Sequence, residues 1–165
     1  MEVLDKIESL LKDNTCLVGM GNYLRSDDAV GLYIVDELRD REVPCNLSIL
    51  NVEDVIESYV YKIAGLDCDN VVILDAVKAD STTGSIVFGR LNDFEELLSD
   101  YSTHKLSLKI SGKILEEHNK QTYLLGIVAD NLDYGTGISD EVKKSADLLK
   151  DFIIKSIASN KGVCQ

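Results

Sequence analysis

Residues 15–39 read TCLVGMGNYLRSDDAVGLYIVDELR, and this stretch decides the fold class. Residues 15–20 are a short apolar run that ends at Gly21, the pattern of a buried strand running into a loop. Residues 29–39 then place apolar side chains at helical spacing. Asp27 or Asp28 stands near the start of that helix, where free N–H groups favour an anion. A second stretch, NVVIL at residues 70–74, is the clearest buried strand, and Asp75 follows it directly. Strands are also expected at 46–52, 84–91 and 122–128. Helices are expected at 3–12, with Val3, Ile7, Leu10 and Leu11 on one face, and at 53–64, with Gly65 as the stop. Further helices are expected at 92–99, at 104–118 with Ser102 or Thr103 as cap, and at 139–158 with Ser139 as cap. Asp140 and Glu141 fall in the first turn of the last helix. Strands alternate with helices nearly throughout. The expected class is therefore α/β: a three-layer α/β/α sandwich with a central, mostly parallel five-stranded sheet and helices on both faces.

The 165 residues suit a single domain over 1–165. The formal net charge of −12 disfavours nucleic acid and anionic lipid as partners and leaves room for a cation. No apolar run reaches membrane-spanning length, and the N-terminal segment is an acidic amphipathic helix rather than a signal peptide. A cytoplasmic protein is expected. The cysteines, Cys16, Cys45, Cys68 and Cys164, contain no C-x-x-C pair. They read as small buried hydrophobes, with Cys164 on a frayed tail, rather than as a zinc site or disulfide scaffold.

In a sheet of this kind, loops at the carboxyl ends of the strands build the site. Two such loops are rich in acid: residues 21–28, GNYLRSDD, and residues 75–80, DAVKAD. They bring Asp28 and Asp75 to face each other across a crevice, where two carboxylates repel unless a cation or proton lies between them. The bland alternative is a helix-start acid and a loop acid without a task. Only two histidines are available. His118, near the end of its helix, reads as a solvated surface residue. His104 reads from composition alone as a helix-start histidine without a task. An imidazole with two carboxylates is a donor set suited to nickel, zinc or manganese. Gly19, Gly21 and Leu24 resemble the opening of a dinucleotide loop, but Leu24 stands where the third glycine belongs, and Asp27 and Asp28 would repel a pyrophosphate. Only Glu53 could serve as the ribose-binding acid. Neither a G-x-S-x-G elbow nor H-E-x-x-H occurs, and a metal-free aspartic dyad of Asp28 and Asp75 remains open on chemistry alone.

Four blocks carry a resemblance. They are LVGMGNYLRSDDAVG at 17–31, VVILDAV at 71–77, STHKLSL at 102–108, and GIVADNLDYGTGISDEV at 126–142. In this order they resemble the hydrogenase maturation endopeptidases. Ala29, Val52 and Ala129 depart from the residues common there. The resemblance implies that Asp28, Asp75 and His104 contact a metal. It also implies an endopeptidase that removes a C-terminal peptide from the nickel-loaded precursor of a hydrogenase large subunit. The nickel would be supplied by the substrate and used for recognition, and the peptidase, a monomer, would carry no permanent catalytic metal. The alternative is a metal- or nucleotide-binding module of the same fold that cleaves nothing. Imidazole ligation predicts that metal affinity weakens below about pH 6.5, the reference value for histidine.

Overall fold

A computed structural model of the chain describes residues 2–94 and 104–160. Five strands, β1 (Thr15–Gly19), β2 (Leu47–Asn51), β3 (Asn70–Val77), β4 (Ile86–Arg90) and β5 (Gln121–Val128), form one sheet in the order β2-β1-β3-β5-β4. All neighbours pair in parallel except β4, which runs antiparallel to β5 at the edge. The α-helices among the described residues are α1 (Glu2–Lys12), α2 (Val30–Arg39), α3 (Val60–Ala64), α4 (Lys105–Glu117) and α5 (Asp140–Ser159). This is the expected three-layer, mostly parallel α/β architecture.

The pleat sorts the central strands between two cores, because successive side chains point to opposite faces. Leu17, Val72, Leu74, Leu125 and Ile127 face α1, α2 and α5, packing with Ile7, Leu11, Ile34, Val142 and Ile153. Cys16, Val18, Val71, Ile73 and Leu124 face the other way, against Ile63 of α3 and Leu108 and Leu115 of α4. With both faces covered, β3 is buried along its whole length, which is why it reads as an unbroken apolar run.

Several expectations are corrected. Val3 is exposed, while α1 buries Ile7, Leu10 and Leu11 as expected. The helix expected at 53–64 is broken: Glu53 has a φ of +49°, a 3-10 turn covers Ile56–Ser58, and regular helix begins only at Val60. Gly65 does end that helix, in a right-handed conformation. Strand β3 does not stop at Leu74. It runs on to Val77 because β5 continues beside it, pairing Asp75 with Gly126, after β1 has ended. Of the helix expected at 92–99, a 3-10 turn at Leu91–Phe94 is described and the remainder lies outside the described residues, as do Ser102 and Thr103. The N-cap position of α4 is His104. Cys16 and Cys68 are free and buried as expected, whereas Cys45 is exposed and disulfide-bonded. Cys164 lies outside the described residues. No helix among the described residues is long and apolar enough to cross a membrane.

Candidate metal centre

Strands β1 and β3 are neighbours, and the chain leaves β1 toward β2 on one side while β3 leads toward β5 on the other. Their carboxyl ends therefore form the topological switch point at which open α/β sheets hold ligands. Asp28 follows β1 and Asp75 lies in β3, so both belong to this crevice. Asp75 shares a pleat direction with Val71 and Ile73, the face covered by α4. His104, at the N-cap of α4, meets it there.

Glycines make the approach of Asp28 possible. Gly21 has a φ of +145°, and a Cβ there would lie 1.8 Å from the Asp28 carbonyl oxygen. Its N–H donates to the Glu53 carbonyl at 3.0 Å. A Cβ on Gly31 would lie 2.2 Å from the Leu74 carbonyl oxygen and 2.7 Å from that of Met20. The close helix–strand packing that a third loop glycine would give in a dinucleotide site is supplied here by Gly31, with Leu24 exposed on the loop. Asn22 shapes the same turn by accepting the Leu24 N–H at 2.9 Å.

The structure brings Asp28, Asp75 and His104 together. Each offers one ligand atom, and these atoms lie within 4.8 Å of one another. All three residues are buried: Asp28 is 2% exposed, Asp75 1% and His104 7%. The imidazole lies between the carboxylates, with Nδ1 3.1 Å from Asp75 Oδ2 and Nε2 3.7 Å from Asp28 Oδ2. Asp75 Oδ1 accepts the Ala76 N–H at 2.8 Å, so both of its oxygens are engaged. Asp28 Oδ2 is different: it is buried and accepts no hydrogen bond. A buried carboxylate oxygen with no donor is unfavourable by roughly 1–3 kcal/mol or more, and a cation beside it removes that penalty.

The charges of the three groups are coupled. Burial, then the nearby charge of Asp75, raises the Asp28 carboxyl to about 6 against the opposing pull of His104 and Arg25. Burial also pushes Asp75 up, held back by its hydrogen bond to His104. Burial alone would lower His104, but the hydrogen bond and charge of Asp75 and the charge of Asp28 outweigh it and raise the imidazole to about 9. The trio thus holds a proton on His104 at neutral pH, and a divalent cation must displace it.

Asp27 and Asp28 both stand near the start of α2 as expected, in the 3-10 turn Ser26–Ala29, but Asp27 does not serve that helix. Its carboxylate reaches across to the loop after β5 and accepts the N–H groups of Asp130, Asn131 and Ser139 and the hydroxyl of Ser139, at 2.7–3.0 Å. Burial would raise its pKa, yet these donors together lower it. Ser139 does occupy the N-cap position of α5, but its side chain bonds Asp27 rather than the helix. Asp140 and Glu141 stand in the first turn of α5 as expected. Sequence offered no signal for the Asp27 contact, since its partners lie more than a hundred residues away. His118 is exposed, with Nδ1 2.8 Å from the Ile114 carbonyl oxygen, and lies outside the cluster.

The blocks of sequence that resemble the hydrogenase maturation endopeptidases lie on this α/β fold, and comparison with known proteins shows the family. The sequence model of the HycI family, described as hydrogenase maturation protease, matches residues 32–156. A Methanocaldococcus jannaschii protein that carries a provisional name as a hydrogenase maturation protease is 30% identical over 163 residues, covering 94% of each chain. The crystal structure of a NiFe hydrogenase maturation protease HycI from Thermococcus kodakarensis is 27% identical, with a TM-score of 0.80, over 93% of this chain and 99% of the other. The maturating endopeptidase HybD from Escherichia coli shares the fold, with a TM-score of 0.74 at 21% identity, over 88% of this chain and 93% of that one. The chain belongs to the hydrogenase maturation protease family.

Proposed function

We propose that this protein removes a C-terminal peptide from the nickel-loaded precursor of a hydrogenase large subunit, and that Asp28, Asp75 and His104 contact the nickel the substrate carries. The observation that carries the reading is the buried Oδ2 of Asp28, which accepts no hydrogen bond and faces an imidazole and a second carboxylate. Carboxylate and imidazole donors suit a divalent first-row metal, nickel included. The set lies at the sheet rim, where a metal still held by another protein can be presented to it.

Recognition through the substrate's nickel lets the precursor's tail be held against the crevice while the metal acts as Lewis acid on the scissile carbonyl or on a water. Asp28 is the carboxylate suited to orient a water beside the nickel, because its Oδ2 accepts no hydrogen bond from the protein, whereas both oxygens of Asp75 do. A carboxyl raised to about 6 is also a better proton acceptor near neutral pH than an ordinary one. Water adds to the carbonyl carbon, its proton passes by way of Asp28 toward the leaving amine, and the C–N bond breaks.

The test is to incubate nickel-loaded and nickel-free precursor with the protein and to weigh the products by mass spectrometry. Loss of a C-terminal peptide from the nickel-loaded form alone is the expected result. Tight binding without cleavage favours the non-catalytic module, and cleavage independent of nickel contradicts recognition through the metal.

The proton on His104 sets the pH dependence of Ni²⁺ binding. Because the imidazole is raised to about 9, metal and proton compete up to that pH, well above the reference value of 6.5. Affinity is expected to increase by about tenfold per pH unit between pH 7 and 9, one proton being released per ion bound. Below about pH 6, Asp28 also takes up a proton and the loss steepens. Competition with a chelator of known affinity measures this, and an affinity flat from pH 7 to 9 would contradict imidazole ligation.

A further inference from the structure

Asp27 stands next to the metal-contacting set and is fully buried, yet it points away from the set. Its carboxylate is saturated by the loop after β5: Oδ2 takes Asp130 N at 2.9 Å, Asn131 N at 3.0 Å and Ser139 Oγ at 2.9 Å, and Oδ1 takes Ser139 N at 2.7 Å. The backbone is tied to the same loop. Asp27 N donates to Asn131 O, Ser26 N to Gly135 O, and Gly135 N to Leu24 O. Arg25 Nε donates to Leu132 O at 3.1 Å and Ser26 Oγ to Asp133 O at 3.0 Å. Residues 24–27 and 130–139 are thereby stitched into one unit that ends on Ser139, the N-cap of the twenty-residue helix α5.

Asp28 is the next residue along. Its carbonyl oxygen lies against Gly21 on one side, and its N–H is bonded to Arg25 O on the other. Its Oδ2 accepts no hydrogen bond and faces His104 Nε2 at 3.7 Å, while a backbone hydrogen bond from Asn22 holds the carboxylate, so its direction depends on the β1–α2 connection. We infer that Asp27 is a positioning residue: by clamping the loop after β5 and the N-terminus of α5 to the β1–α2 connection, it aims the Asp28 carboxylate at His104 and so sets the site's grip on the metal. The clamp is suited to this work because a fully buried carboxylate that accepts four hydrogen bonds has no alternative arrangement of comparable energy. Outer partners of metal ligands typically change affinity by about 10–100-fold when removed.

This inference rests on the metal reading for its affinity readout, so the experiment carries a second readout that does not. Asp27→Ala, Asp27→Asn and Ser139→Ala are compared with the wild type for Ni²⁺ dissociation constant, well below each thermal midpoint, and for the His104 ring ¹⁵N resonances in metal-free protein at fixed pH. Asp27→Ala is expected to weaken Ni²⁺ binding by about tenfold or more and to shift the His104 resonances as Asp28 turns away. Asp27→Asn can keep a carbonyl oxygen at the Oδ2 position and is expected to recover part of both effects. Ser139→Ala, which loses a single hydroxyl donor and keeps the fold safest, is expected to move both readouts in the same direction by less. A merely structural role for Asp27 would lower the thermal midpoint and leave both readouts unmoved, and folded variants with wild-type affinity and unshifted resonances overturn the inference. Should the wild type itself bind no Ni²⁺, the proposed function fails, and the His104 resonances alone decide the role of Asp27.

Discussion

Replacing His104 by alanine is expected to abolish processing of the nickel-loaded precursor, with a loss of at least about a thousandfold in rate. That figure corresponds to roughly 4 kcal/mol of lost transition-state stabilisation, the scale on which a misplaced Lewis acid acts. The imidazole is the element between the two carboxylates, 3.1 Å from one and 3.7 Å from the other. Without it Asp28 and Asp75 repel each other directly, and the proposed metal site loses its nitrogen donor. Asp28→Ala and Asp75→Ala are expected to match this loss. His118→Ala is the control, because His118 is exposed and outside the cluster, and it should process at the wild-type rate. The His104 variant is also expected to melt earlier at neutral pH. His104 is raised from 6.5 to about 9 in the folded chain, so its contribution to stability is complete below pH 6.5 and fades as pH rises through 9. Rates are therefore compared at a temperature where both proteins are folded by circular dichroism. Full activity in folded His104→Ala would remove the imidazole from the site.

The second large effect belongs to a residue that does no chemistry. Gly21→Ala is expected to destabilise the protein by about 4 kcal/mol or more, at the far end of what single substitutions do. At a φ of +145° an L side chain is strained wherever it points, and its Cβ would fall 1.8 Å from the Asp28 carbonyl oxygen. The obstruction is backbone, so no rotamer change relieves it. Either the β1–α2 connection moves, taking Asp28 with it, or the fold fails. Urea denaturation measures the first consequence, and Ni²⁺ affinity of any folded fraction measures the second. Wild-type stability in Gly21→Ala would mean that the connection is far more yielding than its packing implies.

The sequence was most legible where burial leaves one reading of a segment. Strand β3 is apolar because it is covered on both faces, and α2 announces itself by its spacing. The carboxyl end of β3 is less legible, because Asp75 looks like a loop residue, whereas the partner strand β5 carries the ladder on to Val77. Residues 53–59 looked helical by composition. Their backbone is used instead to receive the β1 loop, with Glu53 at positive φ accepting the Gly21 N–H, and that is a demand of tertiary contact. Asp28 and Asp75 could be placed at one rim from strand logic alone. His104 could not be told from His118 by residue type or spacing, and only the resemblance separated them. The two acids at 27 and 28 are alike in sequence, yet one joins the cluster with Asp75 and His104 and the other holds a loop 103–112 residues distant. That division depends on the direction of each side chain in the finished fold, which a linear pattern does not encode.

The most direct test of the central claim is to soak Ni²⁺ into crystals of the protein and locate the ion by anomalous scattering at the nickel edge. A peak within bonding distance of His104, Asp28 and Asp75 together is the expected result. A nickel ion bound elsewhere, with none of these three side chains among its ligands, would contradict the account.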